Sequence, residues 1–262
     1  MRRSGVGFES DDGGLGGHVQ TFFGIPISAY RRFAREGGPF GTVLLLFFLS
    51  GASGLVYQVV WTRKLVLLFG TTAYAVSTVL SVFFLGLGIG SFWGGRLADR
   101  SINPLRLYGI FELAIGVWAI LFIIGIDRGE FAVAGVLQMV SASRGGGIAL
   151  RAILAVAFLL VPVTLMGATL PLLSKTIGRS GATRGKRIGL LYAINTVGAV
   201  SGCVFAGLYG IESFGYTKTT CIAAAVNIGI GLIAYAAGWI VPGANDEPDA
   251  TGSRAAIQFG GQ

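Results

Sequence analysis

The sequence predicts an all-α integral membrane protein with six transmembrane helices, and three observations carry that prediction. Hydrophobic residues fill 53% of the 262 positions and charged residues only 12%, where a water-covered surface needs about 25%. Six apolar runs recur along the chain, each near the ~20 residues that cross a bilayer. Glycine occurs 43 times against 7 prolines, with no Gly-X-Y period. That composition suits helices packed backbone to backbone in lipid.

Taken in order, residues 1–40 are polar and glycine-rich, with Glu9, Asp11 and Asp12 ahead of Arg31, Arg32 and Arg35. They are expected to form a disordered cytoplasmic tail that ends in a basic juxtamembrane stretch. A cleavable signal peptide is not expected, because the first apolar run starts too far into the chain. The transmembrane domain is expected over 41–240, with spans at 41–61, 72–95, 105–126, 149–174, 188–210 and 217–240. Pro162 and Pro171 predict a kink in the fourth. The apolar stretch 131–140 is too short to span and is expected to lie in the interface or pack on the bundle. Residues 241–262, with Asp246, Glu247 and Asp249, read as a second disordered cytoplasmic tail.

Net charge is +8 and the sequence pI about 9.9. In a soluble protein this balance would point to nucleic acid. Here the basic residues sit in short connections between apolar runs, where they set topology, so no nucleic-acid partner is expected. With a cytoplasmic N-terminus, one side holds Arg31, Arg32, Arg35, Arg96, Arg100, Arg106, Lys175, Arg179, Arg184, Lys186 and Arg187. The other holds Arg63, Lys64, Arg128, Arg144, Arg151 and Lys218. This bias, with an even number of spans, puts both termini in the cytoplasm of a multi-pass protein of the cell membrane.

The residues offer no catalytic machinery. Cys203 and Cys221 lie in or beside apolar runs and read as small buried hydrophobes. The single histidine, His18, stands in the glycine-rich tail, so neither a haem pair nor a Cys/His metal cluster is available, and no metal or cofactor is expected. The run GLGIG at 86–90 lies inside a span and does not lead from a strand into a soluble helix, so it is not a dinucleotide turn. No catalytic residue is expected.

Glycine spacing forecasts how the helices meet. Gly86, Gly90 and Gly94 form two overlapping GxxxG steps in the second span, and Gly198 and Gly202 form one in the fifth. Ligand-binding candidates are the polar groups inside the spans. Glu112 lies some eight residues into the third span, on the order of 12 Å deep, and an ionisable group there is a functional candidate. Tyr192, Asn195 and Thr196 in the fifth span accompany it, and the structural alternative is that Glu112 bonds Asn195, Tyr192 or Arg100 to fix packing. Asn227 reads as an interhelical hydrogen bonder. Tyr57, Gln58, Trp61 and Arg63 read as an interfacial aromatic belt with an anchoring arginine.

The second span ends in GGRLADR, residues 94–100. Its Gly95, Asp99 and Arg100 resemble the Gly-x-x-x-Asp-Arg loop between helices 2 and 3 of major facilitator transporters, although Ser101, Ile102, Asn103 and Pro104 depart from the basic residues that follow there. The stretches 50–65, 83–100, 162–173 and 191–202 together resemble the membrane part of fused major facilitator/spermidine synthase proteins. The resemblance implies the fold of one half of a major facilitator transporter. It implies a bound small cationic, polyamine-like solute, and a homo-oligomer or second membrane subunit to complete the cavity. Its alternative implication is a non-transporting anchor for a separately encoded aminopropyltransferase-like partner. The family's soluble domain has no counterpart among these residues, so the chain alone is expected not to be an enzyme.

Overall fold

The computed structural model describes residues 21–22, 25–26, 38–69, 73–140, 144–177 and 182–240. The chain divides into two units, Met1–Pro39 and Phe40–Gln262. In the first, the described residues form a two-residue antiparallel pairing of β1 (Thr21–Phe22) with β2 (Ile25–Pro26). The remaining residues of the tails expected to be disordered, including His18, Arg31, Arg32 and Arg35, lie outside the described residues.

The second unit is almost wholly helical in its described residues, with 101–103 among the exceptions. It comprises α1 (Gly38–Phe69), α2 (Ala73–Arg100), α3 (Pro104–Val140), α4 (Arg144–Thr176), α5 (Ala182–Val204), a π-helical turn (Phe205–Gly210) and α6 (Ile211–Ile240). Apolar runs of this length become helices because lipid offers no partner to a free backbone N–H or C=O. Five stretches are long and apolar enough to cross a membrane: Phe40–Leu67, Val76–Arg100, Pro104–Gly129, Ile153–Thr176 and Arg184–Trp239. The last joins α5, the π turn and α6, and it is broken at Gly215, whose φ of 75° and ψ of 176° are not helical. Glycine alone takes that conformation without strain. Thr219 Oγ1 then reaches back to the Gly210 carbonyl at 2.7 Å.

The α2–α3 turn is sharp for a local reason. Asn103 Oδ1 accepts the Arg106 N–H at 3.1 Å, an N-cap, and Pro104 sits first in α3, where its missing N–H costs nothing. Asn103 also donates its side-chain amide to the Gly238 carbonyl, which ties this cap to α6.

Glycines bring the helices together in three pairs. A side chain at Gly198 would fall on the Phe48 carbonyl and one at Gly202 on the Ala52 carbonyl, so α5 lies directly on α1. Likewise Gly90 lies on the Thr164 carbonyl, Gly94 on Ala168 and Gly86 on Val163, which seats α2 on α4. Gly109, Gly116 and Gly231 bring α3 against α6. Residue numbers rise together across the first two pairs, which are parallel, and run oppositely across the third, which is antiparallel.

The first two pairs are one interface used twice. Phe48, Gly51 and Ala52 of α1 correspond at a fixed interval to Thr164, Gly167 and Ala168 of α4, while Leu87, Gly90 and Gly94 of α2 correspond to Asn195, Gly198 and Gly202 of α5. Gly51 meets Asn195 just as Gly167 meets Leu87. The third pair maps onto itself: Tyr108, Glu112, Ile115 and Ala119 in α3 match Ala223, Asn227, Ile230 and Ala234 in α6, and all eight are buried. The close contacts of α1, α2 and α3 are thus matched by those of α4, α5 and α6, with Glu112 and Asn227 at corresponding positions.

Several expectations need correction. Residues 131–140 are not a separate segment but the continuation of α3. Pro162 and Pro171, where a kink was expected, both lie inside α4. Cys203 and Cys221 are exposed on the outside of the bundle rather than buried, because the inward positions of α5 and α6 are taken by the closest-packed residues. Tyr57 and Trp61 are not an interfacial belt. They stack on each other with ring centroids 5.2 Å apart, 0% and 1% exposed, because the face of α1 that carries them turns inward.

Candidate functional site

The site grows from Glu112, at the centre of the α3–α6 contact. It is 0% exposed. Ser50 Oγ of α1 donates to its Oε1 at 2.5 Å, and Asn227 Nδ2 of α6 donates to its Oε2 at 2.7 Å. Both donors are neutral, and each oxygen of the carboxyl group is engaged. The partners are therefore not Asn195, Tyr192 or Arg100. Close packing explains why: Gly51 lets α5 approach α1, and Ser50 beside it is turned toward α3. Tyr108, one turn back along α3, is also buried and lies against Ser50 and Glu112. Asn227 Oδ1, beside the carboxyl group, has no hydrogen-bonding partner among the described residues.

The fifth-span candidates do not join this centre. Tyr192 is 63% exposed, and Thr196 is exposed with its hydroxyl bonded to the Tyr192 carbonyl of its own helix at 2.8 Å. Asn195 is half-buried against Gly51. Ser50 was not among the candidates, although a hydroxyl between small residues in SGASG is the kind of group that bonds a buried carboxyl.

The loop motif has its own place. Gly95 has open space where a side chain would stand, and Arg100 is exposed. Asp99 bonds Lys175 at 3.0 Å and so links the ends of α2 and α4. At the same end Arg106 lies over the Trp239 ring at 3.7 Å, and Arg187 over Phe40 at 5.2 Å. Each helix pair thus carries a cationic contact at its basic end. At the opposite end, Asp127 of α3 takes Lys64 of α1 at 2.7 Å and Thr217 of α6 at 2.8 Å.

A cavity of about 210 Å³ lies between α1, α5 and α6, bordered by Leu49, Ser53, Val56, Phe205, Ala223 and Val226 among others. Its wall is almost wholly apolar, and Glu112 does not line it. Among the described residues no cluster of His, Cys, Asp and Glu could hold a metal ion.

No protein-family model matches the chain, and no solved structure matches it. The polyamine aminopropyltransferase 1 of Streptomyces coelicolor is 27% identical over 192 residues, which cover 73% of this chain and 33% of that protein. The chain therefore spans about a third of the length of the curated relative that it matches.

Proposed function

We propose that this chain is a six-pass membrane module that holds polyamine aminopropyl transfer at the cell membrane. The observation that carries the reading is the match itself: it pairs 73% of this largely helical chain with a third of a protein named as a polyamine aminopropyltransferase. The site supports anchoring over catalysis or carriage, since Glu112 is sealed and both of its oxygens are already bonded by protein donors. The transferase active site belongs to a soluble aminopropyltransferase-like domain, on this polypeptide or on a partner.

The length of Arg184–Trp239 supports six crossings. At 1.5 Å per residue, its 56 residues would extend about 84 Å against a hydrocarbon core of ~30 Å. The break at Gly215 turns it back, and Asn195 and Asn227 then stand at one level, beside Gly51 and Glu112. The excess of basic residues at the α2–α3 and α4–α5 connections supports a cytoplasmic position for that end, and with it for both termini.

One observation favours a competing reading. A carboxyl group at mid-depth with only neutral bonded partners is the sort of group that would receive a small cationic solute, and transport would then require a second copy or another six-helix subunit to close the cavity. Fractionation separates the readings. Cells that carry the chain should sediment aminopropyltransferase activity with their membranes, and cells that lack it should lose the sedimenting activity. Polyamine uptake by vesicles containing the purified chain, with the activity unchanged in its distribution, would instead favour transport.

A further inference from the structure

The apolar cavity between α1, α5 and α6 exists because small side chains border it. Ser201, three residues beyond Gly198, stands at the place that Trp93 takes beyond the matched Gly90. Ala223 and Val226 of α6 stand at the places of Tyr108 and Phe111 in α3. Where one half of the bundle has bulky side chains, the other leaves about 210 Å³ open. The floor of the cavity is buried, with Ser53 and Val56 on α1 and Ala223 on α6. Its rim is not, since Ser201 is exposed and Ile222 is 43% exposed. The cavity therefore opens sideways between α5 and α6, within stretches apolar enough to cross a membrane. Its wall passes into the π turn at Phe205, and such turns occur often at functional sites.

Water has almost nothing to bond there, and apolar cavities of this kind stay dry and take apolar molecules. Left empty, the lining would forfeit its dispersion contacts. In a bilayer the matter at a sideways mouth is acyl chain. Toward the Lys64–Asp127 end, that mouth meets groups suited to a headgroup. Lys218 is four residues before Ile222 on the same face of α6, about 6 Å nearer that end. It is exposed and has no ion-pair partner among the described residues. Thr217 beside it bonds Asp127 at 2.8 Å, which fixes its level. From the cavity wall, Phe205, Tyr209 and Phe214 carry a ladder of rings toward the same end, with centroids 6.0 and 5.7 Å apart. Exposed aromatic rings gather where hydrocarbon meets headgroups.

We propose that the cavity seats one acyl chain of an anionic phospholipid from the leaflet at the Lys64–Asp127 end, with the lipid's phosphate on Lys218. The chain enters between Ser201 and Ile222 and lies against Leu49, Val56 and Val226. The Lys218 ammonium donates to a phosphate oxygen, a charge-assisted bond that an anionic headgroup strengthens. The lipid is then a wedge that completes the packing of α5 and α6 on α1. This inference goes beyond the anchoring role and does not depend on it, since it requires only that the bundle sits in a bilayer.

Native mass spectrometry of the purified chain in mild detergent, titrated with dioleoyl-phosphatidylglycerol, tests it. The wild type should retain one lipid molecule in a saturable step. Ser201→Trp puts into the mouth the side chain found at Trp93, and it should weaken retention about tenfold or more, since each buried methylene is worth about fourfold. Lys218→Gln should weaken it about fivefold. Ser91→Trp, at an exposed position of α2 away from the cavity, should leave it unchanged. Thermal unfolding keeps folding apart from binding: added lipid should raise the midpoint of wild type and Ser91→Trp but not that of Ser201→Trp. Should Ser201→Trp not fold, Ser201→Leu fills less of the mouth and should still weaken retention. Equal retention by wild type and the filled variant would overturn the proposal, as would an equal loss in Ser91→Trp or no effect of Lys218→Gln. A wild-type dimer that Ser201→Trp dissolves without changing lipid retention would also overturn it, because the cavity would then seat a second copy of the chain.

Discussion

At the scale of residues, the centre at Glu112 is a set of hydrogen bonds whose removal has unequal consequences. Glu112→Gln can keep both: its oxygen accepts from Ser50, and its amide donates to Asn227 Oδ1, which has no partner among the described residues, once the Asn227 amide turns over. Glu112→Leu strands the Ser50 hydroxyl and the Asn227 amide in apolar surroundings, at about 1–3 kcal/mol for each group. Thermal unfolding in mild detergent should place the Gln variant close to wild type and the Leu variant well below it. Glu112 was legible in the sequence because an ionisable residue interrupts an apolar run. Its partners were not, because they come from 62 and 115 positions away. Tyr57 and Trp61 were misread for a related reason, since an aromatic pair near the end of a span reads the same whether its face meets headgroups or the bundle interior.

At the scale of elements, glycine is what decides which helices touch, and two glycines of α2 show it. Gly90 lies on the Thr164 backbone of α4, whereas a side chain at Gly88 would meet nothing within 4 Å. Gly90→Ala should therefore reduce the folded yield sharply, because the obstructing atoms are backbone and cannot give way. Gly88→Ala should be neutral or stabilising by up to about 1 kcal/mol, the helix preference of alanine over glycine. Size-exclusion yield and melting temperature of the two variants check this. The GxxxG spacing at Gly86, Gly90 and Gly94 showed that α2 had a close-packing face, but it could not name α4 as the neighbour. The repeat was written in the sequence, as Gly51-Ala52-Ser53 against Gly167-Ala168-Thr169 and as Glu112 through Gly116 against Asn227 through Gly231. It went unnoticed because hydrophobic residues of similar size obscure such matches. Where α3 ends was also beyond the sequence, since Asp127 and Arg128 look like a boundary while the backbone continues as helix.

At the scale of the whole molecule, the Glu112–Asn227 hydrogen bond ties α3 to α6 in the bundle interior. The two ends of the bundle differ. Arg96, Arg100, Arg106, Lys175, Arg184, Lys186 and Arg187 gather at one, against Asp99, and the triad of Lys64, Asp127 and Thr217 ties the other. The composition announced the long apolar helices, and the charge bias predicts an orientation that the labelling below tests. The account's central claim is that Arg184–Trp239 crosses the bilayer twice, because an even number of crossings puts both tails, and any attached transferase domain, on the basic side. Single cysteines tested with a membrane-impermeant reagent in right-side-out vesicles decide it, in a background where Cys203 and Cys221 are replaced by alanine. The account predicts that Phe214→Cys is labelled from outside while Ile102→Cys, Arg184→Cys and Trp239→Cys are protected until the vesicles are opened. Labelling of Trp239→Cys from outside with Arg184→Cys protected would contradict it, since the segment would then cross once.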